Sequence, residues 1–345
     1  MEKRVYSLAH SCAGRVVERM RAGVVTAAVL ALVLAGVLSA HSRAESGSPR
    51  APAPAARTHA DALATVPPVP SGDIAHFNIT VEDKTIEIAP GVRYRAWTFN
   101  GTSPGPVLHV REGQTVEITF RNRGDMPHSF DIHAARVRSD VAFRDVPPGG
   151  SLTFRFVAGN PGVFLYHCVT APAVAHIASG MYGALIVDPE RPLPAVDAEF
   201  VLVASEWYLH RAGERGPAQV SMKKALAANP DYVTFNGYAH RYGHRAFHVE
   251  PGWRVRFYVA NAGPNLTTPL HLVGGIFDRV YSDGDVTHWL TGVQTADVPA
   301  GGGAIFDAHF DEPGVYGFVS HRFASADKGE VGAITVGSVH GTMRH

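Results

Sequence analysis

From Ile74 onward the chain runs in short stretches of alternating apolar and polar residues, interrupted by glycine and proline. The segments "QTVEITFRN" from Gln114, "SLTFRFV" from Ser151 and "GALIVDP" from Gly183 show the period-two pattern of half-buried strands. Helical periodicity is scarce, and "SMKKALAAN", from Ser221 to Asn229, is the main candidate for a short helix. Many short strands at regular spacing, separated by turn residues, predict an all-β chain built of β-sandwiches.

The pattern also repeats. "FNG" at Phe99 recurs at Phe235, and "HVREGQTVEITFRN" from His109 is echoed by "HVEPGWRVRFYVAN" from His248. "VPPGGSLTFRF" from Val146 returns as "VPAGGGAIFDAHF" from Val298, and "NPGVFLYHC" from Asn160 as "EPGVYGFVSH" from Glu312. Four matches in one order predict two tandem sandwiches, at about 75–192 and 196–339. Aligned on the glycine of the last pair, Ser320 falls opposite Cys168, and with three residues fewer in the loop that follows, Glu330 falls opposite Met181.

The first 44 residues read as targeting. Arg15, Arg19 and Arg21 precede an uncharged apolar run from Ala22 to Ala40, with small residues for cleavage near Ala40 or Ala44. The run is long for a signal core and long enough to span a bilayer, so a cleaved signal peptide and a retained membrane anchor both fit. Either way the folded part is exported, to the periplasm or cell envelope. The Ala/Pro-rich stretch 45–74 reads as a flexible linker.

Lys plus Arg and Asp plus Glu are equal at 31 each, which gives no basis for a nucleic-acid surface. Histidine is abundant at 19 copies, enough for more than one metal site. Of the two cysteines, Cys12 lies in the targeting segment, so Cys168 stands alone in the exported part. No internal disulfide can form there, and a metal would protect a lone exported thiol from oxidation.

Cys168 is followed after seven residues by His176 and after four more by Met181, with His128 upstream. A thiolate, two imidazoles and a thioether form the ligand set of a blue electron-transfer copper site. Side-chain parity adds to this. Successive residues of a strand face opposite sides, so in "HSFDIH" His128 points away from Asp131 and His133, and in "YHC" His167 points away from Cys168. His128 can then meet Cys168 at one metal, while Asp131, His133 and His167 gather on the other side. That second group fits a second metal site wired through the His167–Cys168 peptide, and equally a pair of histidines hydrogen-bonded across strands.

With "PHSFDIHAA", "GVFLYHCVTAPAVAHIASGMYGALIVDP", "AGPNLTTPLHLVGGIFDRVYSDG" and "FVSHRFASADKGEVG", the chain resembles the copper-containing nitrite reductases over about residues 75 to 340. The Cys-to-His spacing is similar to that of the branch with the shorter ligand loop. The resemblance implies two cupredoxin-like Greek-key sandwiches and one-electron reduction of nitrite to nitric oxide. It implies type 1 copper on His128, Cys168, His176 and Met181, and type 2 copper on His133, His167 and His321. The third type 2 histidine would come from a neighbouring subunit, which implies a homotrimer. Asp131 and His271 match the pair that binds and protonates nitrite, Val273 the aliphatic residue over the copper, and Thr295 a residue orienting the catalytic histidine. A cytochrome c or a small blue-copper protein would be the electron donor.

Two other functional classes fit parts of the chain. A laccase-type multicopper oxidase needs several His-x-His pairs, and the sequence has none. A simple electron carrier would use the blue site alone and leave His133, His167, His321, Asp131 and His271 without a role. The chain departs from the family after His133, where "ARVRSDVAFRD" brings in Arg136, Arg138 and Arg144; this reads as a solvated charged loop. His240, His244 and His248 are four apart, but Gly243 and the strand-like continuation argue for a loop rather than a third metal site.

Overall fold

The computed structural model describes residues 64–210 and 216–338. The targeting segment and most of the linker lie outside the described residues. Among the described residues no helix is long and apolar enough to cross a membrane.

The first sandwich pairs two four-stranded sheets. One runs in the order Val92–Phe99, Ile74–Ala89, Thr115–Asn122, Ser151–Val157, and the other Leu108–Arg111, Tyr182–Asp188, Gly162–His167, Asp131–Ile132. In the second, a six-stranded sheet is ordered Tyr232–Phe235, Ala198–Trp207, Arg254–Asn261, Gly303–His309, Phe277–Ser282, Leu290–Val293. Its five-stranded partner is ordered Arg245–Val249, Val331–Val336, Gly314–Ser320, Thr268–Val273, Thr295–Val298. Both sandwiches mix parallel with antiparallel pairs. Ile74–Ala89 runs parallel to Thr115–Asn122, as Ala198–Trp207 does to Arg254–Asn261. The helix expected near Ser221 forms over Met222–Leu226, capped by the Ser221 hydroxyl, which accepts the Lys224 N–H.

Side-chain parity decides which layer each residue enters, even where a strand such as Tyr182–Asp188 is buried on both faces. Along Gly162–His167 and into Cys168, Tyr166 and Cys168 enter the core of the first sandwich with Phe99, Phe120 and Phe130. Val163 and Leu165 point the other way, into an apolar layer with Val201, Val203, Tyr258 and Ile305 of the second sandwich. One strand therefore serves an internal core and the junction between sandwiches. The junction is tight enough to require glycine: a Cβ on Gly303 would lie 2.2 Å from the Val163 carbonyl oxygen.

Candidate metal centres

The first cluster sits at one end of the first sandwich. His128 is pinned by a bridge to Val146, its N–H donating to the Val146 carbonyl at 3.1 Å and its carbonyl accepting the Val146 N–H at 2.8 Å. Cys168 directly follows the strand Gly162–His167. Pro172 then opens a short helix, Ala173–Ala178, which carries His176 back over Cys168. The turn out of that helix needs Gly180, at φ +112°, because a Cβ there would come within 2.8 Å of the Ser103 hydroxyl. Backbone bonds lace the loop: the Cys168 N–H donates to the Met181 carbonyl, and the Met181 N–H to that of His176, each at 3.2 Å.

Three donor atoms converge as a result. The two Nδ1 atoms of His128 and His176 are 3.1 Å apart, and Cys168 Sγ is 3.3 Å from His176 Nδ1 and 3.9 Å from His128 Nδ1. His128, Cys168 and Met181 are fully buried and His176 nearly so, with Met181 in the same core as Cys168. Burial, together with the facing His176, pushes His128 down to about 4 against the pull of Asp125 and Asp145. Burial likewise lowers His176. Neutral imidazoles offer lone pairs, and a cation placed among the two ring nitrogens and the sulfur would be bound by all three in this dry pocket. The soft sulfur with two ring nitrogens fits copper.

The second cluster lies on the opposite face of the same strand. His133 donates Nδ1–H to the Gly301 carbonyl at 2.9 Å, and His167 donates Nδ1–H to the Cys168 carbonyl at 2.9 Å. These bonds assign the tautomers and leave both Nε2 atoms as lone pairs, 3.0 Å apart. A histidine whose other nitrogen donates to a backbone carbonyl is the usual form of a metal ligand. Burial lowers His167, opposed by the Cys168 carbonyl and reinforced by His133. Asp131 completes the group, with a carboxylate oxygen 3.9 Å from His167 Nε2.

His271 and His321 form a separate pair on the second sandwich, with ring centroids 5.1 Å apart and planes nearly perpendicular. His271 donates Nδ1–H to the Gln294 carbonyl at 2.7 Å, and the Thr295 hydroxyl lies 3.2 Å from the same nitrogen. Neither ring belongs to the Asp131–His133–His167 group within one chain. Val273 is 44% exposed, and Phe323, whose ring lies 5.0 Å from that of His321, is 61% exposed. His240, His244 and His248 form no metal group among the described residues. Arg138 pairs with Asp140 at 2.5 Å and Arg136 donates to Asn160, so these two arginines of the loop are occupied on the surface.

Comparison with known proteins agrees with this geometry. Two multicopper oxidase family models match residues 80–192 and 198–336. The chain is 41% identical over 291 residues to the copper-containing nitrite reductase of Neisseria meningitidis serogroup A, covering 82% of this chain and 74% of that one. It belongs to the copper-containing nitrite reductase family. Family members include the copper-containing nitrite reductase of Alcaligenes xylosoxydans, 31% identical over 78% of this chain and 87% of its own. The solved copper nitrite reductase of Nitrosomonas europaea superposes with a TM-score of 0.72 at 35% identity, over 77% of this chain and 94% of that one. The two sandwiches are thus the tandem cupredoxin-like pair of this family.

The structure also brings in residues that sequence reasoning passed over. Trp97 packs its ring against His128 and His176, at 5.5 and 4.9 Å. Ser129 donates its backbone N–H to Cys168 Sγ at 3.3 Å. The carbonyls of Gly301 and Gln294 orient two histidines from far along the chain. Only Ser129 carried a signal, its place directly after His128; backbone carbonyls carry none.

Proposed function

We propose that this protein is an exported copper enzyme that reduces nitrite to nitric oxide, consuming one electron and two protons and releasing water. The observation that carries the reading is the His167–Cys168 dipeptide. Its two side chains stand in different donor clusters, 1 residue apart, and the His167 ring bonds back to the Cys168 carbonyl. That peptide is the covalent route between a site built for electron transfer and a site built for an oxyanion.

Copper, when bound, supplies one-electron redox chemistry at the thiolate site and Lewis acidity at the imidazole site. His128, Cys168, His176 and Met181 would hold the first ion. His133, His167 and His321 would hold the second, with His321 contributed by a neighbouring copy in a homotrimer. The separation of His321 from His133 within one chain, and the solvent-facing apolar side chain of Phe323 beside it, support that arrangement.

The remaining work falls to this chain's own groups. The Asp131 carboxylate, partly buried beside His167, would hold one proton for the departing oxygen. The Nδ1–H of His271 is fixed by Gln294, which leaves Nε2 free to exchange the other. Thr295 steadies that ring, and Val273 supplies an apolar wall that limits water. The electron would come from a cytochrome c or a small blue-copper protein. Val169, next to Cys168 and 40% exposed, offers such a donor an apolar foothold. The N-terminal segment would place the enzyme in the periplasm or cell envelope, released or tethered.

The test is anaerobic turnover of copper-loaded protein with a reduced donor. One nitric oxide per electron is expected from the wild type, while His133→Ala keeps the blue absorption and loses nitric oxide formation. Undiminished turnover in His133→Ala refutes the assignment of the second site.

A further inference from the structure

The hydroxyl chemistry around Cys168 contains a competition that the donor set alone does not explain. Ser129 accepts the Val169 N–H at 3.0 Å and has one O–H proton to give. Thr170 Oγ1 lies 3.1 Å from Ser129 Oγ, in a contact that Thr170 could itself make as the donor, and Cys168 Sγ lies 3.7 Å away. Thr170 also has a single proton, and its second neighbour is an Asp145 carboxylate oxygen at 2.7 Å. An ionised carboxylate can only accept, so the Thr170 proton goes to Asp145. The Thr170 oxygen is then an acceptor, and the shorter contact draws the Ser129 proton away from the sulfur. Ser129 is fully buried and Thr170 nearly so, so no bulk water intervenes to scramble the order.

We propose that the Asp145–Thr170 pair holds the Ser129 hydroxyl off the Cys168 sulfur, leaving the sulfur a single backbone donor and setting the redox potential of the metal it binds. Ser129 and Thr170 are in this sense positioning residues. The physical link is the sulfur's electron density, since hydrogen bonds around the cysteine sulfur tune the potential of such copper sites. A second hydrogen bond to the thiolate weakens it as an electron donor and favours the reduced ion. Withholding that bond keeps the potential lower and the electron easier to pass on toward His167.

The proposal rests on the copper reading of the Cys168 cluster, and the experiment separates the two. Wild-type protein loaded with copper should show the intense thiolate-to-metal absorption; a colourless wild type sinks the copper reading itself. With colour present, Thr170→Val removes the competing acceptor and leaves the Ser129 proton only the sulfur. A roughly three- to tenfold shift of the redox equilibrium toward the reduced form is expected, about 30 to 59 mV at 59 mV per decade for one electron. The charge-transfer band should move to shorter wavelength, because the sulfur orbitals are lowered.

Thr170→Ser, which keeps the hydroxyl, should hold the wild-type potential and band. In a Ser129→Ala background there is no proton to redirect, so adding Thr170→Val should change neither. A Thr170→Val shift that survives in that background would come from packing or from the Asp145 charge and would overturn the proposal, as would a blue Thr170→Val protein with an unmoved potential. Should the valine fail to fold, Thr170→Ala removes the same hydroxyl with less bulk and is read by the same criteria.

Discussion

Glu330 is fully buried inside the second sandwich, and its stability effect is measurable. Burial pushes its carboxyl up from the ordinary 4.5 to about 8, more than the Thr268 and Ser320 hydroxyls can offset. Between those two values the folded protein retains a proton that the unfolded chain has released, so stability falls as pH rises through this window. At about 1.4 kcal/mol per pH unit the full shift corresponds to roughly 5 kcal/mol, which is a ceiling. Replacing Glu330 by Gln keeps the shape and an oxygen to accept the Thr268 hydroxyl, which bonds Glu330 at 2.7 Å, and removes the titration. Wild type and variant should melt together near pH 5 and separate steadily toward pH 8.5, with the variant the more stable. A realised effect of ~2 kcal/mol would separate the melting temperatures by about 4–8 °C. Thermal denaturation of copper-loaded protein across this pH range is the assay, and linkage at the metal ligands cancels in the difference. A separation that stays constant with pH, or a variant less stable at pH 8.5, refutes a neutral buried Glu330.

Two further outcomes follow from the geometry. Cys168→Ala should abolish the blue absorption and stop reduction by the physiological donor; a variant that keeps its colour would place the thiolate site elsewhere. Gly303→Ala forces a Cβ against the Val163 carbonyl, 2.2 Å away in the unrelaxed structure. The sandwiches must shift apart, at a cost of roughly 1–3 kcal/mol, visible as a lower denaturation midpoint; an unchanged midpoint would mean that the junction is looser than it looks.

The sequence displayed the fold through period two and through repetition, and strand parity located the clusters. The alternation that separates Tyr166 and Cys168 from Val163 and Leu165 is the one that separates Cys168 from His167. Parity works because a strand offers only two faces. It could not show how loops close on each other. The 3.1 Å approach of the His128 and His176 rings depends on Gly180 and on backbone bonds between residues far apart in sequence. The pairing of His271 with His321 likewise comes from the register of two neighbouring strands, where His271 stands opposite Val319, two residues before His321. The partners that fix the histidine tautomers are carbonyl oxygens, to which the identity of the residue contributes nothing.

The second sandwich shows what the metal pocket owes to the backbone. There the Ser320 N–H donates to the Glu330 carbonyl at 3.1 Å and the Glu330 N–H to the Ser325 carbonyl at 3.1 Å. These match, bond for bond, the links from Cys168 to Met181 and from Met181 to His176 in the first. The same loop frame therefore closes around Ser320, Ser325 and Glu330, which include no soft ligand. A frame that forms around hydroxyls and a carboxyl does not need copper to assemble it. In the first sandwich the frame is occupied by Cys168, His176 and Met181, so the donors are gathered by backbone bonding and packing before a metal arrives. Such preorganisation suits electron transfer, because a site held rigid by its protein changes little when the ion changes oxidation state.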